Sequence, residues 1–233
     1  EDKQLLLCGG LGGHLMHLYD NPDLTFAELK GILTSAAEGQ LEKTTEKLDG
    51  QNIFFSFNVS DNSLRFARNK GDLARGGMTR EEVTSKWAGK PAVQAAFTGA
   101  FDIMNEAVNS LSPEEKAEIF GQNTEYWYSA EILATVNPNV INYDRNVIIP
   151  HEFGVQKLTK AGVSDPEFQD TAPQFEKLRG VIDKLQKVAS QRGWAIMEPQ
   201  IFPLKKLSDK SILSSAVARL DALLGNAGMN DSQ

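Results

Sequence analysis

The sequence predicts an α+β protein in which antiparallel strands are interrupted by a block of helices. Short apolar runs at strand period stand between turn residues. Ile53-Phe54-Phe55-Ser56-Phe57 follows Asp49-Gly50, and Leu64 and Phe66 alternate with Arg65 and Ala67 after the polar turn Ser60-Asp61-Asn62-Ser63. Between the strand-like runs lie segments that open on helix caps and carry apolar residues at helical spacing. With 233 residues, 41% of them hydrophobic, the chain can bury a sizeable core as one domain, or as one domain with a large insert.

Each element has its own signal. Thr25-Phe26-Ala27-Glu28 is a capping box, with Leu24 able to staple onto Leu29, so a helix runs to about Ala37 and Gly39 ends it. Strands follow near Leu41 to Lys47, Ile53 to Val59 and Leu64 to Arg68. Thr79-Arg80-Glu81-Glu82 opens a short helix by the same capping logic. Pro91 suits the first turn of a helix to about Leu111, and Ser112-Pro113-Glu114-Glu115 starts another. Strands resume near Glu125 to Leu133 and Asn146 to Ile149. Phe175, Leu178, Ile182, Leu185 and Ala189 recur at helical spacing to Gly193. A strand from Trp194 to Phe202 separates them from a last helix that carries Ile212, Leu213, Ala216, Val217, Leu220 and Leu224 and ends at Gly225. The expected organisation is a core over 1–153 with a helical insert near 79–122, then a helical extension over 154–233.

Charge and composition exclude several classes. A formal net charge of −7 is unsuited to nonspecific polyanion binding, which needs an excess of Lys and Arg to displace counterions, so any nucleic-acid contact is local. Arg65, Arg68, Lys70 and Arg75 form one basic cluster, which reads equally as a phosphate contact or as a charged edge strand that resists aggregation. The single cysteine, Cys8, rules out an internal disulfide and reads as a small packed side chain. No 18-residue apolar run and no signal segment is present, so neither a membrane nor secretion is expected. Gly9-Gly10-Leu11-Gly12-Gly13-His14 lacks the Gly-Lys-Ser/Thr ending of a P-loop. His14, His17 and Asp20 lack a further ligand, so no metal site is assigned.

The stretch Thr45-Glu46-Lys47-Leu48-Asp49-Gly50-Gln51-Asn52 reads as strand, tight turn, strand, with Lys47 at the end of the first strand. A lysine held beside apolar walls and cationic neighbours is a usable nucleophile, because desolvation disfavours its charged form. The same octet also fits an ordinary Asp-Gly hairpin turn with a solvated lysine beside it. The next strand brings Arg68, Asn69 and Lys70 toward the lysine strand, so cations collect where a phosphate would bind.

These residues resemble the covalent nucleotidyltransferases, which include ATP-dependent RNA and DNA ligases and capping enzymes. Glu46-Lys47-Leu48-Asp49-Gly50 is similar to the family's Lys-x-Asp-Gly motif. With Gln51 and Asn52 it resembles the Glu-Lys-x-x-Gly-x-Asn form of RNA ligases. Arg68-Asn69-Lys70-Gly71 resembles the arginine motif on the following strand, and Trp127-Tyr128-Ser129-Ala130-Glu131-Ile132-Leu133 the strand whose acid lies near the nucleotide ribose. Residues 9–153 also look like uncharacterised ligase-like proteins of tailed bacteriophages.

The resemblance implies a ligase-like fold and covalent AMP transfer. Lys47 is then the nucleophile, with Glu46, Asp49, Gly50, Asn52 and Glu131 around the nucleotide and Arg65, Arg68 and Lys70 at phosphate or nucleic acid. ATP and Mg²⁺ are the implied cofactors, and ends carrying a 5′-phosphate are the partners. Lys47 and Arg68 are expected on neighbouring strands, with Glu131 across the cleft. Two family strands have no counterpart: Met197-Glu198-Pro199-Gln200 lacks the glycine of a Glu-Gly strand, and Leu204-Lys205-Lys206-Leu207 lacks the central apolar residue of a Lys-apolar-Lys strand. Either the chain continues past Gln233 or the site is incomplete. The alternative is a ligase-fold protein without catalysis, serving as a phage structural or interaction protein; the first reading places the protein in host cytoplasm, the second in the virion.

Overall fold

The computed structural model describes residues 23–41, 44–45, 48–151, 156–159, 162–163 and 172–232. Their contacts fall into two compact units, one of the described residues from Leu48 to Pro199 and one of those up to Thr45 together with those from Gln200 onward. The division thus falls near residues 48 and 200, not near 153.

In the smaller unit, α1 (Phe26–Ala37) opens on the expected capping box, Thr25 with Glu28. Gly39, at φ +72°, follows its C-cap Glu38.

The larger unit is built on a sheet. β1 (Gln51–Asn58) lies between β2 (Ser63–Ala67) and β3 (Tyr126–Leu133), antiparallel to both. β4 (Asn146–Pro150) is antiparallel to β3. β5 (Gln156–Thr159) branches from the start of β3 and pairs with β6 (Gly162–Val163), and β7 (Trp194–Ile196) closes the order β2-β1-β3-β4-β7. β7 runs parallel to β4, so the sheet is mixed and not wholly antiparallel. A parallel neighbour requires a crossover, and the two helices before β7 supply it.

The sheet has two unlike faces because successive side chains alternate. Ile53, Phe55 and Phe57 of β1, Leu64 and Phe66 of β2, Tyr128, Ala130 and Ile132 of β3 and Ile148 of β4 belong to one large core cluster. The helix over Pro91–Asn109 lies against it with Phe97, Ala100, Phe101 and Met104. Phe55 stacks on Tyr128 with ring centres 5.6 Å apart, and Phe66 meets Phe101 edge-on at 4.9 Å. Each such fully buried aromatic contributes about 2–3 kcal/mol. The other face carries two smaller apolar clusters, Phe54, Ala67, Leu73 and Trp127, and Leu133, Val147 and Ile149. Asn52, Ser129 and Glu131 share the parity of that second face and form a polar strip on it.

Between β2 and β3 run α2 (Lys70–Ala74), α3 (Arg80–Lys86), α4 (Pro91–Asn109) and α5 (Pro113–Phe120). The capping boxes Thr79/Glu82 and Ser112/Glu115 start α3 and α5, and Pro91 sits in the first turn of α4. The short helix α2 is an addition to the sequence reading, in which the strand ends near Arg68 and delivers Asn69 beside the lysine strand. Asn69 is instead its N-cap, its side chain accepting the Asp72 amide.

Three later elements also depart from expectation. The helical segment from Phe175 to Ala189 is two helices, α6 (Ala172–Arg179) and α7 (Ile182–Ser190), broken at Gly180 and Val181. The strand expected from Trp194 to Phe202 is paired in the sheet only to Ile196. The last helix, α8 (Lys210–Ala227), passes through Gly225 and ends on Gly228 in the left-handed conformation, φ +68°. A helical glycine with open space around it is tolerated, and only a residue that must leave the helix demands positive φ.

In the smaller unit Lys30 of α1 pairs with Asp221 of α8 and with Asp231, while Glu38 takes Lys206 and Lys210. Of the strand expected over 41–47, the described part is a single bridge from Thr45 to Ile201. Residues 203–207, where a lysine strand was sought, form no strand.

Candidate functional site

Gly50 enters β1 directly against β3. Its N–H donates to Glu131 Oε1 at 2.9 Å. A Cβ at this position would lie 2.5 Å from Leu133 Cδ2, 2.6 Å from the Ile132 carbonyl oxygen and 2.7 Å from Glu131 Cγ. Glycine is therefore required by close approach and not by a left-handed backbone, since Gly50 is absent from the positive-φ glycines.

Asp49, placed by the motif near the nucleotide, spends its carboxylate on the protein. Oδ2 accepts the N–H groups of Val140 at 2.6 Å and Ile141 at 2.8 Å, and the Asp49 N–H donates to the Tyr143 hydroxyl at 3.1 Å. Asn139 Nδ2 reaches the Gly50 carbonyl at 2.8 Å, and Gln51 Nε2 the Asn137 carbonyl at 3.1 Å. The β3–β4 connection is thus laced onto the Asp-Gly segment.

Asn52 lies opposite Glu131 in the β1/β3 register. Its Nδ2 donates to Ser129 Oγ at 2.7 Å, while its Oδ1 is buried without a partner. An orphaned acceptor at a residue 6% exposed is costly unless a ligand donor meets it. Arg68, just past β2, donates from Nη1 to the Asn52 carbonyl and lies over the Phe97 ring, 5.8 Å from its centre. Burial lowers the Arg68 pKa, and the negative charge of Glu131 offsets part of that effect. Glu131 itself is 12% exposed in its side chain, and its Oε2 lies 3.7 Å from His151 Nε2.

The structure therefore brings Asp49, Gly50, Asn52, Arg68 and Glu131 to one end of the sheet. Glu131 is on the strand next to β1, not across a cleft from it. Glu46 and Lys47 lie outside the described residues, as do Cys8, the Gly9–Gly13 run, His14, His17 and Asp20. Two members of the expected basic cluster are paired with local carboxylates. Arg65 pairs with Asp61 at 2.7 Å and Arg75 with Asp72 at 2.7 Å, while Lys70 starts α2. Local carboxylates reach the first two, which strand parity cannot foresee.

Sequence reasoning missed two residues. Asp72, 1% exposed, binds Lys86 at 2.6 Å, Arg75, and the Arg68 N–H at 3.0 Å. Burial acts to raise its pKa, but the Lys86 hydrogen bond and the Arg68 amide, with the two cations' charges, outweigh it and hold the carboxyl below the ordinary value. The Asn69-x-x-Asp72 spacing, a cap with an acid three residues on, was the available signal. His151 follows Pro150 at the end of β4, and its N–H continues the ladder by donating to the Ser129 carbonyl at 2.8 Å. Nothing in the local sequence marks it.

No family model, no curated protein and no solved structure matches the chain. Among the described residues, no helix is long and apolar enough to cross a membrane. Among the same residues, no group of three or more His, Cys, Asp or Glu side chains is placed to hold a metal ion.

Proposed function

We propose that the chain is an ATP-dependent RNA or DNA ligase-like nucleotidyltransferase acting through a lysyl-AMP intermediate on Lys47, within a ligase-like fold. One observation carries the reading: Gly50, three residues after Lys47, donates its N–H to Glu131, with Asn52 opposite that acid and Arg68 on the Asn52 carbonyl. Three stretches far apart in sequence that resemble one family's motifs thus meet at one sheet end.

The neutral Lys47 amine attacks the α-phosphorus of ATP, a P–N bond forms, the bond to the bridging oxygen breaks and pyrophosphate leaves. An oxygen of a 5′-phosphate end then displaces the lysine, and a 3′-hydroxyl displaces AMP to seal the strand. The Arg68 guanidinium holds phosphate oxygens through its fork of donors. Asn52 Oδ1 and Glu131 Oε2 accept hydrogen bonds from the ribose hydroxyls. Asp49 positions the loop over 137–143 beside the nucleotide. Mg²⁺ supplies charge neutralisation on the departing pyrophosphate when bound. Mg²⁺ is usually carried by substrate phosphates and water, so the ion would be held mainly by the nucleotide.

The test is retention of label. Protein incubated with Mg²⁺ and ATP labelled at the α-phosphate keeps the label through denaturation, and ATP labelled at the γ-phosphate leaves none. Retention of the γ label identifies phosphoryl transfer instead and overturns the reading.

A second reading, a ligase-fold structural or interaction protein without catalysis, such as a phage virion component, is favoured by residues 204–207, which form no strand, and by Lys206, which is taken by Glu38. It predicts no retained label from either position.

A further inference from the structure

We propose that His151 is a positioning residue that couples ambient pH to the Asp49–Gly50 segment through Glu131. The inference is carried by the division of labour between the two Glu131 oxygens. Oε1 accepts the Gly50 N–H at 2.9 Å, and Oε2 faces His151 Nε2 at 3.7 Å. The carboxylate is thus shared between a fixed backbone donor and a group that changes charge.

The imidazole is well placed for this. Its backbone is fixed by the bond from its N–H to the Ser129 carbonyl, so the ring is anchored one step beyond β4. Its side chain is 30% exposed against 12% for Glu131, which leaves the imidazole open to exchange protons with solvent while the acid behind it is largely shielded. A neutral imidazole gives Oε2 at most a long polar contact. An imidazolium draws Oε2 toward itself as an ion pair. The segment lies close along β3, where even a Cβ on Gly50 would collide with Leu133, Ile132 and Glu131, so the change is felt along the N–H···Oε1 bond.

Among the described residues, Arg68, from the end of β2, faces Glu131, whose negative charge acts on its guanidinium. Asp49, at the start of β1, is turned away onto the Val140 and Ile141 amides, and its own N–H meets Tyr143 from the β3–β4 connection. The chain has three histidines, so a titration in the histidine range has three possible sources. A single substitution separates them.

If the nucleotidyltransferase reading holds, this pair sets the geometry of the acid that receives the ribose. The test contains no nucleotide, so its outcome stands apart from that reading. The Gly50 amide resonance is followed by NMR through the ordinary histidine range, around pH 6.5. In the unsubstituted protein it moves with a single inflection. In His151→Gln, which keeps the backbone bond to Ser129, the inflection is absent. In Glu131→Gln the His151 ring still titrates but the Gly50 amide no longer follows it. An inflection of equal size in His151→Gln, or none in the unsubstituted protein, overturns the proposal.

Discussion

Replacing Gly50 by alanine tests the geometry of the site at its tightest point. The added methyl would fall 2.6 Å from a carbonyl oxygen of β3 and 2.5 Å from Leu133 Cδ2, and the first of these neighbours is backbone that cannot rotate away. Inserting a methyl into a filled space costs about 1–3 kcal/mol. Relief requires the segment to lift from β3, which stretches the Gly50 N–H bond to the Glu131 carboxylate; a hydrogen bond to a charged group contributes about 1.5–3 kcal/mol. The sum is a destabilisation of about 2.5–6 kcal/mol. The assay is urea unfolding followed by tryptophan fluorescence, because all three tryptophans, Trp87, Trp127 and Trp194, lie in the larger unit and report on it alone. With a slope of about 1–3 kcal/mol per molar urea, the midpoint falls by on the order of 1–2 M. A Gly50→Ala midpoint within a few tenths of a molar of the parent would show that β3 does not press on Gly50 as described. No left-handed strain contributes, so Gly50→Asn gives no rescue, unlike at a true positive-φ glycine.

Three further outcomes follow from the same contacts. Asp49→Ala frees the amides of Val140 and Ile141, and their hydrogen exchange accelerates by at least tenfold while amides in the centre of β1 keep their rates, as a loss of about 1.5 kcal/mol or more confined to that loop requires. Asp72→Asn costs about 2–3 kcal/mol at neutral pH by weakening its bonds to Lys86 and Arg75. Because the folded carboxyl titrates below its ordinary 3.8, that stabilisation is complete above 3.8 and is lost as pH falls through the folded value, so the gap between parent and variant closes on the acid side of 3.8 in acid unfolding curves. Arg68→Lys removes the fork that meets the Asn52 carbonyl and weakens ATP binding by roughly tenfold in calorimetry, while Arg65→Lys, whose partner is Asp61, leaves it unchanged.

Much of the sheet was legible because its signals are local. The alternation Leu64, Phe66 against Arg65, Ala67 foresees β2, and three Ser/Thr-x-x-Glu boxes foresee the starts of α1, α3 and α5. What was not legible depends on partners distant in sequence. Gly50 looks like a turn residue and is a contact residue, because β3 lies some 80 positions on, as the 81-residue separation from Glu131 records. Asp49 looks like part of a reactive motif, yet its bonds go to Val140 and Ile141, 91 and 92 residues away. The basic cluster failed for a related reason: a count of nearby cations omits Asp61 and Asp72, which neutralise two of them. His151 carries no pattern at all, and only the β3/β4 register reveals that it meets Glu131.

The central claim is that Lys47 carries AMP, and locating the adduct tests it most directly. The protein is incubated with ATP and Mg²⁺, digested at neutral pH, and its peptides are examined by mass spectrometry for the mass of one AMP. The account predicts the adduct on the peptide containing Lys47, its loss on brief acid treatment as expected of a phosphoramidate, and its absence from Lys47→Arg. An adduct on another residue, or undiminished labelling of Lys47→Arg, would contradict it.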